Sequence, residues 1–422
     1  MGRIRILSDV VANKIAAGEV VERPASVVKE LLENSLDAGA TEIRIEVENG
    51  GKRLIRIADD GHGMLRDDAL LAFERHATSK LADVKDLLAI ATLGFRGEAL
   101  PSIASVSRLT LETRSPEEST GTRVEIAGGK LLKVDEMALA RGTSITVRDL
   151  FFNVPARKKF LRSEPTELAH IAQLATHYSL AHPDKVFTLR SESNELLTVT
   201  PVDDLKERVF QVFGAQTLAD LVELGDHLRE DPDESGLHTY RVRGFVSKPH
   251  VQKVNRNSIY LFVNGRLIRD RLLMHAITAG YANVIPPGTF PFALLFIDCD
   301  PAEVDVNVHP SKTEVRFRNG SLIHDLVRDA VRGAMASARP ISSMPPAEPL
   351  GGQPVVRLPW SEFSSAMQQA PLVMPQEFTA EGPAASAALP EFTLGAQPTA
   401  PRFDFGALPA ASIPAPVPPM PL

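Results

Sequence analysis

The sequence predicts a mixed α/β protein in which helices and strands follow one another over residues 1–335, ahead of a proline-rich tail. Three observations predict this class. Residues 25–38 carry apolar side chains at helical spacing, residues 43–47 and 54–58 alternate as strands do, and both periodicities recur further along the chain. The tail shows neither periodicity. We therefore expect folded α/β units followed by a disordered segment.

The first predicted helix covers residues 25–38 and follows Pro24, a residue favoured at helix N-termini. At 100° per residue, one broad arc is apolar and the opposite side is polar. The apolar arc holds Val27, Val28, Leu31, Leu32 and Leu36, and the polar side holds Glu30, Glu33, Asn34 and Asp37. The helix is therefore expected to bury one face and to present carboxylates and one amide on the other.

A hairpin with a Gly50-Gly51 turn follows, and its second strand leads directly into Asp59-Asp60-Gly61-His62-Gly63. Helical periodicity returns at Asp67–Arg75, and a polar, glycine-containing segment then reaches Gly94–Gly97. Three further strands and one helix complete the predicted first unit, at Leu109–Thr113, Thr122–Ile126, Thr143–Val147 and Thr166–Tyr178.

A second unit is predicted to begin near Asp203, and Asn264-Gly265 marks a hairpin within it. Its predicted helices are Leu205–Phe213, Leu272–Tyr281 and Leu322–Met335, and its predicted strands are Tyr240–Val246, Ile259–Val263, Phe292–Ile297 and Val304–Val308. The domain boundaries that follow are 1–200, 204–335 and a linker at 336–422.

The tail differs sharply in composition from the rest. Residues 340–422 hold 18 of the 32 prolines, two basic residues, six acidic residues and no lysine. Little apolar surface is available there to offset chain entropy, so a disordered linker is expected. Trp360, the only tryptophan, lies in this tail and is either part of a docking motif or incidental.

Composition excludes several classes of protein. The longest apolar run, Phe290–Ile297, is far shorter than the roughly 20 residues of a membrane helix, so no membrane partner is expected. The N-terminus has no continuous apolar region of a signal peptide. A single cysteine, Cys299, excludes an intrachain disulfide and fits a reducing cytoplasm. We therefore expect a cytoplasmic protein.

Familiar nucleotide and hydrolase motifs do not occur in the sequence. It contains no GxxxxGK[ST] loop, no GxGxxG after a strand, no HExxH and no lipase-like GxSxG turn. Three less familiar pieces remain, all within the first 100 residues.

The first piece is the polar helix face of Glu30, Asn34 and Asp37. An amide oxygen is a neutral hard ligand that suits Mg²⁺, and a carboxylate one turn earlier can accept a proton from water. Taken alone, the pattern is more typical of a solvated helix face.

The second piece is Asp59-Asp60-Gly61-His62-Gly63 at a strand end. The sheet would fix the carboxylate, which can accept a hydrogen bond from the exocyclic amine of adenine. The two glycines would let the backbone approach a ligand closely. An acidic turn is the alternative.

The third piece is Gly94-Phe95-Arg96-Gly97 ahead of a predicted helix, where unpaired N–H groups can bind phosphate oxygens. Upstream, Thr78, Ser79 and Lys80 supply two hydroxyls and a cation. A single such loop is modest support for a phosphate site.

The order and spacing of the three pieces resemble the GHKL ATPases, which include gyrase, heat-shock chaperones and histidine kinases. The amino-acid sequences of several segments resemble those of the MutL family of mismatch repair proteins within that superfamily. These segments are IAAGEVVERP at 15–24, ENSLDAG at 33–39, RHATSK at 75–80, GFRGEAL at 94–100, FFNVPARKKFL at 151–161, VNGRLIRD at 263–270 and VDVNVHPSKTEVRF at 304–317. The resemblance covers residues 1–335.

The resemblance implies a GHKL (Bergerat) ATPase α/β sandwich over 1–200 and a ribosomal-protein-like α/β transducer domain over 204–335. It implies that Glu30 is the general base, Asn34 the Mg²⁺ ligand and Asp59 the adenine contact. It also implies that residues 76–100 form a lid over bound ATP. The remaining implied nucleotide contacts are Gly63, Thr78, Ser79, Lys80, Gly94, Phe95, Arg96, Gly97, Thr143 and Lys312.

Lys312 is implied to reach the γ-phosphate from the second domain, so that ATP and ADP would clamp the two domains differently. The segment up to Val21 is implied to cross to a second subunit when ATP orders the lid, which gives a homodimer on ATP binding. Slow turnover is expected, because the site must wait for these segments to assemble.

Double- and single-stranded DNA is the other ligand that the resemblance implies. Residues 1–339 carry 44 basic and 47 acidic side chains, a net charge of −3, so attraction to DNA must come from local patches. The candidates are Arg157, Lys158, Lys159, Arg162, Arg266, Arg269 and Arg271. Such contacts would be made to phosphates and would depend on salt, not on base sequence.

The expected function is that of a mismatch repair ATPase that couples a MutS-like mismatch-recognition protein to a downstream nicking endonuclease and helicase, and that associates with the nucleoid when it acts. A gyrase-type topoisomerase subunit and an inactive scaffold are the alternatives. The metal endonuclease motif (DQHAxxE type) that many relatives carry beyond the linker does not occur in these 422 residues. We therefore expect the chain to be a piece of a longer protein; the alternative is a form that lacks stable dimerisation and nuclease activity.

Overall fold

The computed structural model describes residues 17–18, 20–80, 93–94, 97–233, 236–305 and 314–338. Two contact-defined units divide the chain, residues 1–343 and 344–422, and all described residues lie in the first. The tail with Trp360 lies outside the described residues. Among the residues that are described, no helix is long and apolar enough to cross a membrane.

The first half of the described chain forms an eight-stranded sheet with helices on one side. Its helices are α1 (Pro24–Asp37), α2 (Arg66–Leu71), α3 (Ala99–Ser105), α4 (Pro155–Phe160) and α5 (Glu164–Ala181). Its strands are β1 (Glu42–Glu48), β2 (Leu54–Asp59), β3 (Arg108–Arg114), β4 (Gly121–Ala127), β5 (Lys130–Met137), β6 (Gly142–Arg148), β7 (Val186–Ser191) and β8 (Asn194–Val199).

The strand order is β5-β4-β3-β6-β2-β1-β7-β8, antiparallel except for the parallel pair β1–β7. Alternation along each strand explains why one face is buried. Ile43, Ile45 and Val47 of β1 point into the core, where they meet the apolar arc of α1. The first helix is thereby fixed along the sheet with its polar face turned away from the core.

A second sheet follows, with strands β9 (Leu221–Glu223), β10 (His227–Asp233), β11 (Gly236–Ser247), β12 (Ile259–Val263), β13 (Arg266–Ile268) and β14 (Ala293–Asp298). Its order is β10-β11-β14-β12-β13, with β9 beside β11. The helices of this part are α6 (Leu205–Ala219), α7 (Arg271–Gly280) and α8 (Gly320–Ser337). A short pair, β15 (Val304–Asp305) and β16 (Arg316–Phe317), precedes α8.

Both faces of the second sheet are covered. Helices α7 and α8 supply one apolar cluster, and α6 with the end of α5 supplies the other. The ring of His177 on α5 lies 4.9 Å from that of Tyr260 on β12, centroid to centroid. Helix α5 therefore packs on both sheets.

Buried Arg208 on α6 connects this helix, which packs on the second sheet, to backbone segments beside β7 and β8 of the first sheet. Its Nη2 donates to the backbone oxygens of Pro183, Lys185 and Thr200 at 2.7, 2.8 and 2.9 Å. Burial lowers the pKa of Arg208 to about 10, so the guanidinium stays charged at neutral pH.

Most predicted elements occur, with three kinds of difference. The predicted helix Asp67–Arg75 ends at Leu71, and the helix predicted to end at Phe213 continues past a kink at Gly214 to Ala219. The strands β5, β7, β8 and β10 were not predicted. Of these, β5 and β8 are largely exposed and bury too few side chains to show clean alternation. The predicted Asn264-Gly265 hairpin joins β12 and β13.

Candidate functional site

The polar face of α1 forms one wall of the candidate site. Glu30, Asn34 and Asp37 all lie on this face and are partly exposed. The fourth residue predicted on the polar side, Glu33, is instead buried, with 2% of its surface exposed. Its Oε1 accepts a 2.7 Å hydrogen bond from Tyr178 Oη on α5. Glu33 therefore faces the helix α5 and not solvent.

Lys80 and the Leu93-Gly94 backbone close over this wall. Lys80 Nζ lies 2.9 Å from Asn34 Oδ1 and 2.6 Å from Asp37 Oδ2. The N–H groups of Leu93 and Gly94 each donate to the Asp37 carboxylate at 3.0 Å. Asp37, to which the sequence analysis assigns no role, therefore contacts two parts of the predicted lid segment 76–100, at Lys80 and at Leu93-Gly94.

Three predicted phosphate contacts lie nearby. Lys80 N–H donates to Thr78 Oγ1 at 3.1 Å, and Ser79 between them is exposed. Gly97 has a φ of +62°, and a Cβ there would lie 2.4 Å from the Ala77 oxygen, so the two segments touch. Phe95, Arg96 and Lys312 lie outside the described residues.

Asp59 and Thr143 form a second corner of the site. They are direct partners across β2 and β6. Asp59 Oδ2 accepts from Ser35 Oγ at 2.7 Å, and its Oδ1 accepts from Gly61 N–H at 3.0 Å. Ser35 adjoins Asn34 on α1, so one short segment of helix connects the two corners. Burial raises the pKa of the Asp59 carboxyl, against the lowering effect of these hydrogen bonds.

Gly63 sits where the backbone leaves this corner. Its φ is +68°, and a Cβ built there would lie 2.1 Å from the carbonyl oxygen of Arg114. The next residue, Met64, donates its N–H to Thr113 Oγ1 at 2.9 Å, and that hydroxyl is 2.9 Å from Thr143 Oγ1. The backbones at Gly63 and Arg114 therefore approach each other closely at this corner of the candidate site.

Gly63→Ala is expected to destabilise the fold more than Gly39→Ala, a matched control. Both glycines have a φ near +69°, but nothing lies within 4 Å of a Cβ at Gly39. The left-handed conformation costs either alanine about 1–2 kcal/mol, and overpacking adds about 1–3 kcal/mol at Gly63 alone. Urea unfolding of both variants measures the difference. Equal losses of stability would show that the close approach costs nothing.

The predicted DNA contacts divide into exposed and buried groups. Lys158 and Lys159 on α4 are exposed, as are Arg162 and Arg269. Arg157 is half-buried, and its Nη1 donates to the Val21 oxygen at 3.4 Å.

The imidazole of His170 on α5 is affected by the charges of two of the exposed arginines, Arg162 and Arg269. Burial lowers the pKa of its imidazole, and the positive charges of Arg23, Arg269 and Arg162 lower it further against the charge of Glu167. Arg162, which precedes α5, and Arg269, which follows β13, therefore act on the same side chain from the two halves of the described chain.

Arg266 requires a correction. Only 6% of the residue is exposed, and its positive charge acts on the buried hydroxyl of Tyr178, whose pKa it lowers against the larger raising effect of burial. A buried guanidinium is poorly placed to bind a DNA phosphate. Its place on β13 instead directs it toward α5.

The site's oxygen atoms fit a divalent cation. An ammonium group already lies against Asn34 Oδ1 and Asp37 Oδ2, which shows that this corner accepts positive charge. Amide and carboxylate oxygens are also the ligand types that Mg²⁺ takes in proteins. Among the described residues no group of three or more His, Cys, Asp or Glu side chains is gathered for a metal.

Two family models match the chain. One, described as "Histidine kinase-, DNA gyrase B-, and HSP90-like ATPase", matches residues 22–140. The other, described as "DNA mismatch repair protein, C-terminal domain", matches residues 209–336. The first match runs from α1 to β5, so that of the candidate site Thr143 on β6 lies just beyond it, and it confirms the predicted ATPase fold.

Curated relatives match nearly the whole chain. The DNA mismatch repair protein MutL of Solibacter usitatus is 62% identical over 99% of this chain and 67% of its own length. The MutL protein of Koribacter versatilis is 62% identical over 81% of this chain and 56% of its own length. The chain thus spans roughly half to two thirds of these relatives. A solved structure, "Crystal Structure of N terminal domain of a DNA repair protein", shares the fold with a TM-score of 0.66 at 23% identity, over 77% of this chain and 98% of its own.

Proposed function

Because this chain belongs to the MutL family of DNA mismatch repair proteins, we propose that it binds and slowly hydrolyses ATP to close as a clamp on DNA. The observation that carries the proposal is the cradle on α1. Asn34 and Asp37 line it, and Lys80 with the Leu93-Gly94 backbone covers it. Amide, carboxylate, ammonium and backbone N–H groups are together the set that a magnesium–triphosphate needs.

Each residue of the site has a distinct part in the proposed reaction. Asp59 accepts a hydrogen bond from the adenine amine, supported by Thr143 across the strand pair. Lys80 and the N–H groups near Gly94 neutralise phosphate oxygens. Asn34 would hold Mg²⁺, which supplies charge neutralisation at the phosphates when it is bound.

Glu30 accepts a proton from the attacking water. The water oxygen then bonds to the γ-phosphorus, the bond from that phosphorus to the bridging oxygen breaks, and ADP leaves with the bridging electron pair. The released proton passes from Glu30 to solvent after phosphate departs, which returns the carboxylate for the next turnover.

The clamp part of the proposal depends on coupling between the two sheets. Helix α5 packs on both, and Arg208 joins α6 to the segment that precedes β7 and to the residue that follows β8. We keep the division into an ATPase domain at 1–200, a transducer domain at 204–335 and a linker at 336–422. Lys312 of the second domain would bind the γ-phosphate, and the N-terminal segment would bind a second copy of the chain.

A phosphate-release assay tests the ATPase proposal directly. The full chain with Mg²⁺ and ATP is expected to release phosphate slowly, and chelation of Mg²⁺ by EDTA is expected to stop release. Fluorescent ATP analogues bound with Mg²⁺ should be displaced by ATP. Failure of the chain to bind any adenine nucleotide would end the proposal, whereas binding without release would leave only an inactive scaffold.

DNA binding is proposed at four exposed basic residues, two of which act electrostatically on His170. Arg162 and Arg269 approach it from the two halves of the described chain, and Lys158 and Lys159 add charge on α4. In the cell, the DNA complex would engage a mismatch-recognition protein of the MutS type, a nicking endonuclease and a helicase in the cytoplasm. These whole-protein partners are inferred from the family.

Arg269→Glu is expected to weaken binding to all DNA sequences alike. Loss of one phosphate contact should flatten the slope of log K against log salt by about 0.9 for duplex DNA. Fluorescence anisotropy over a salt series, on two unrelated duplexes and one single strand, measures the DNA affinity and its salt dependence. Lys133→Glu changes the net charge equally on the distant strand β5 and serves as the control. A loss confined to one sequence would point to base readout instead.

A further inference from the structure

Three side chains, of which Glu33 and Tyr178 are buried and Lys29 is half-buried, form a polar cluster beside the proposed general base. Tyr178 Oη on α5 donates to Glu33 Oε1 at 2.7 Å, and Lys29 Nζ lies 2.8 Å from the same oxygen. Lys29 Nζ also lies 3.3 Å from Glu30 Oε1. Tyr178 and Glu33 are each 2% exposed, so water does not screen the contact between them.

The protonation states of this cluster are well defined. Burial opposes the charge of Lys29, but Glu33 and Glu30 outweigh it and raise the pKa of the ammonium above its ordinary value. Burial first, and then Glu33, raises the pKa of Tyr178 well above 10.0. At neutral pH Tyr178 is therefore a neutral phenol that donates to Glu33, and Lys29 is an ammonium that lies between Glu33 and Glu30.

The contact between Lys29 and Glu30 is not a default consequence of helical spacing. Residues one apart on a helix point about 100° away from each other, whereas residues four apart share a face. Lys29 and Glu33 are the natural pair at i and i+4, which alone would satisfy the charge of buried Glu33. The ammonium nevertheless also reaches Glu30, which adds an interaction that packing of α1 on α5 does not require.

We propose that Lys29 is a positioning residue for ATP hydrolysis, anchored by Glu33 and Tyr178 so that its ammonium holds the Glu30 carboxylate in place. The proposal rests on the proposed role of Glu30 as general base. Two features make the hold firm. The anchor is buried, and the ammonium is attracted by two carboxylates, so the side chain loses the rotamer freedom that an exposed lysine keeps.

Substitution of Lys29 by methionine in the full chain tests this inference. Methionine keeps much of the side chain's length and apolar stem and removes the charge. Since a misplaced catalytic group costs up to about 100-fold, the expected result is a loss of about 10- to 100-fold in kcat. The dissociation constant of a non-hydrolysable ATP analogue should change less than about threefold, because Lys29 does not line the phosphate cradle.

Two further variants separate positioning from packing. Lys29→Arg keeps a cation within reach of both carboxylates and is expected to retain most of the turnover that Lys29→Met loses. Tyr178→Phe removes only the anchoring hydroxyl and is expected to lower kcat by a smaller factor with unchanged analogue binding. If Lys29→Met does not fold, Tyr178→Phe decides the question alone. Lys133→Met, on the distant strand β5, removes an equivalent charge as the control.

The outcomes distinguish this inference from the proposed function. Suppose that Glu30→Gln abolishes turnover. Normal turnover in Lys29→Met would then overturn the positioning role. If Lys29→Met does not fold, normal turnover in folded Tyr178→Phe would overturn it instead. Equal losses in kcat and in analogue affinity would assign Lys29 to structure and would also overturn it. Normal turnover in Glu30→Gln would instead contradict the proposed function itself.

Discussion

Replacement of Glu30 by alanine is expected to abolish ATP hydrolysis while ATP binding is retained. Glu30 lies on the partly exposed face of α1, one turn before Asn34, and is held by the ammonium of Lys29 at 3.3 Å. A positioned general base contributes about 100- to 10,000-fold to a rate, and alanine can accept no proton. Phosphate release under saturating MgATP should fall by that range.

Binding must be measured on the same variant. Titration of Glu30→Ala with a non-hydrolysable analogue should give a dissociation constant within a few-fold of the unsubstituted chain, because the cradle of Asn34, Asp37 and Lys80 remains. Glu195→Ala, at an exposed position on β8, is the matched control and should hydrolyse normally. Turnover that survives in Glu30→Ala would remove this residue from the role of base.

Asn34→Ala is expected to lose magnesium-dependent nucleotide binding. The substitution removes the amide oxygen that faces the cation position, and it also removes the acceptor of the 2.9 Å hydrogen bond from Lys80 Nζ. Loss of groups around a metal weakens metal affinity by about 10- to 100-fold even when the groups are not direct ligands, so at least that range is expected here.

Calorimetric titration with an ATP analogue, in Mg²⁺ and again in EDTA, measures this effect. The unsubstituted chain should bind more tightly with Mg²⁺ than with EDTA, and in Asn34→Ala the two values should converge. Asn194→Ala, at the exposed start of β8, is the control for an asparagine elsewhere. Tight binding that still depends on Mg²⁺ in Asn34→Ala would contradict the ligand assignment.

The sequence predicted the polar face of α1 but assigned one of its residues to the wrong side. A helical projection separates positions by angle only, and Glu33 lies at the edge of the polar arc. Its burial depends on Tyr178, 145 positions away, which provides a hydrogen bond that offsets the cost of removing a carboxylate from water. Spacing along one helix could not reveal that partner.

Arg266 shows the same limit for charge patterns. In the sequence it follows the Asn264-Gly265 turn beside Arg269 and Arg271, and all three appear as one basic cluster. The structure separates them, because Arg266 lies within β13, Arg269 follows that strand and Arg271 begins α7. Arg266 points toward α5 and is buried, whereas Arg269 lies beyond the strand and is exposed.

By itself the sequence determined the order of the elements, the apolar side of α1, the strand that ends in Asp59 and the family. These features depend on local periodicity and on short sequence motifs. Tertiary structure alone decided that Asp59 faces Thr143, that Lys80 lies against Asn34 and that half-buried Lys29 joins buried Glu33 and Tyr178 beside Glu30. These contacts join residues far apart in the chain, and they form only when the sheet and its two long helices bring separate segments within hydrogen-bonding distance.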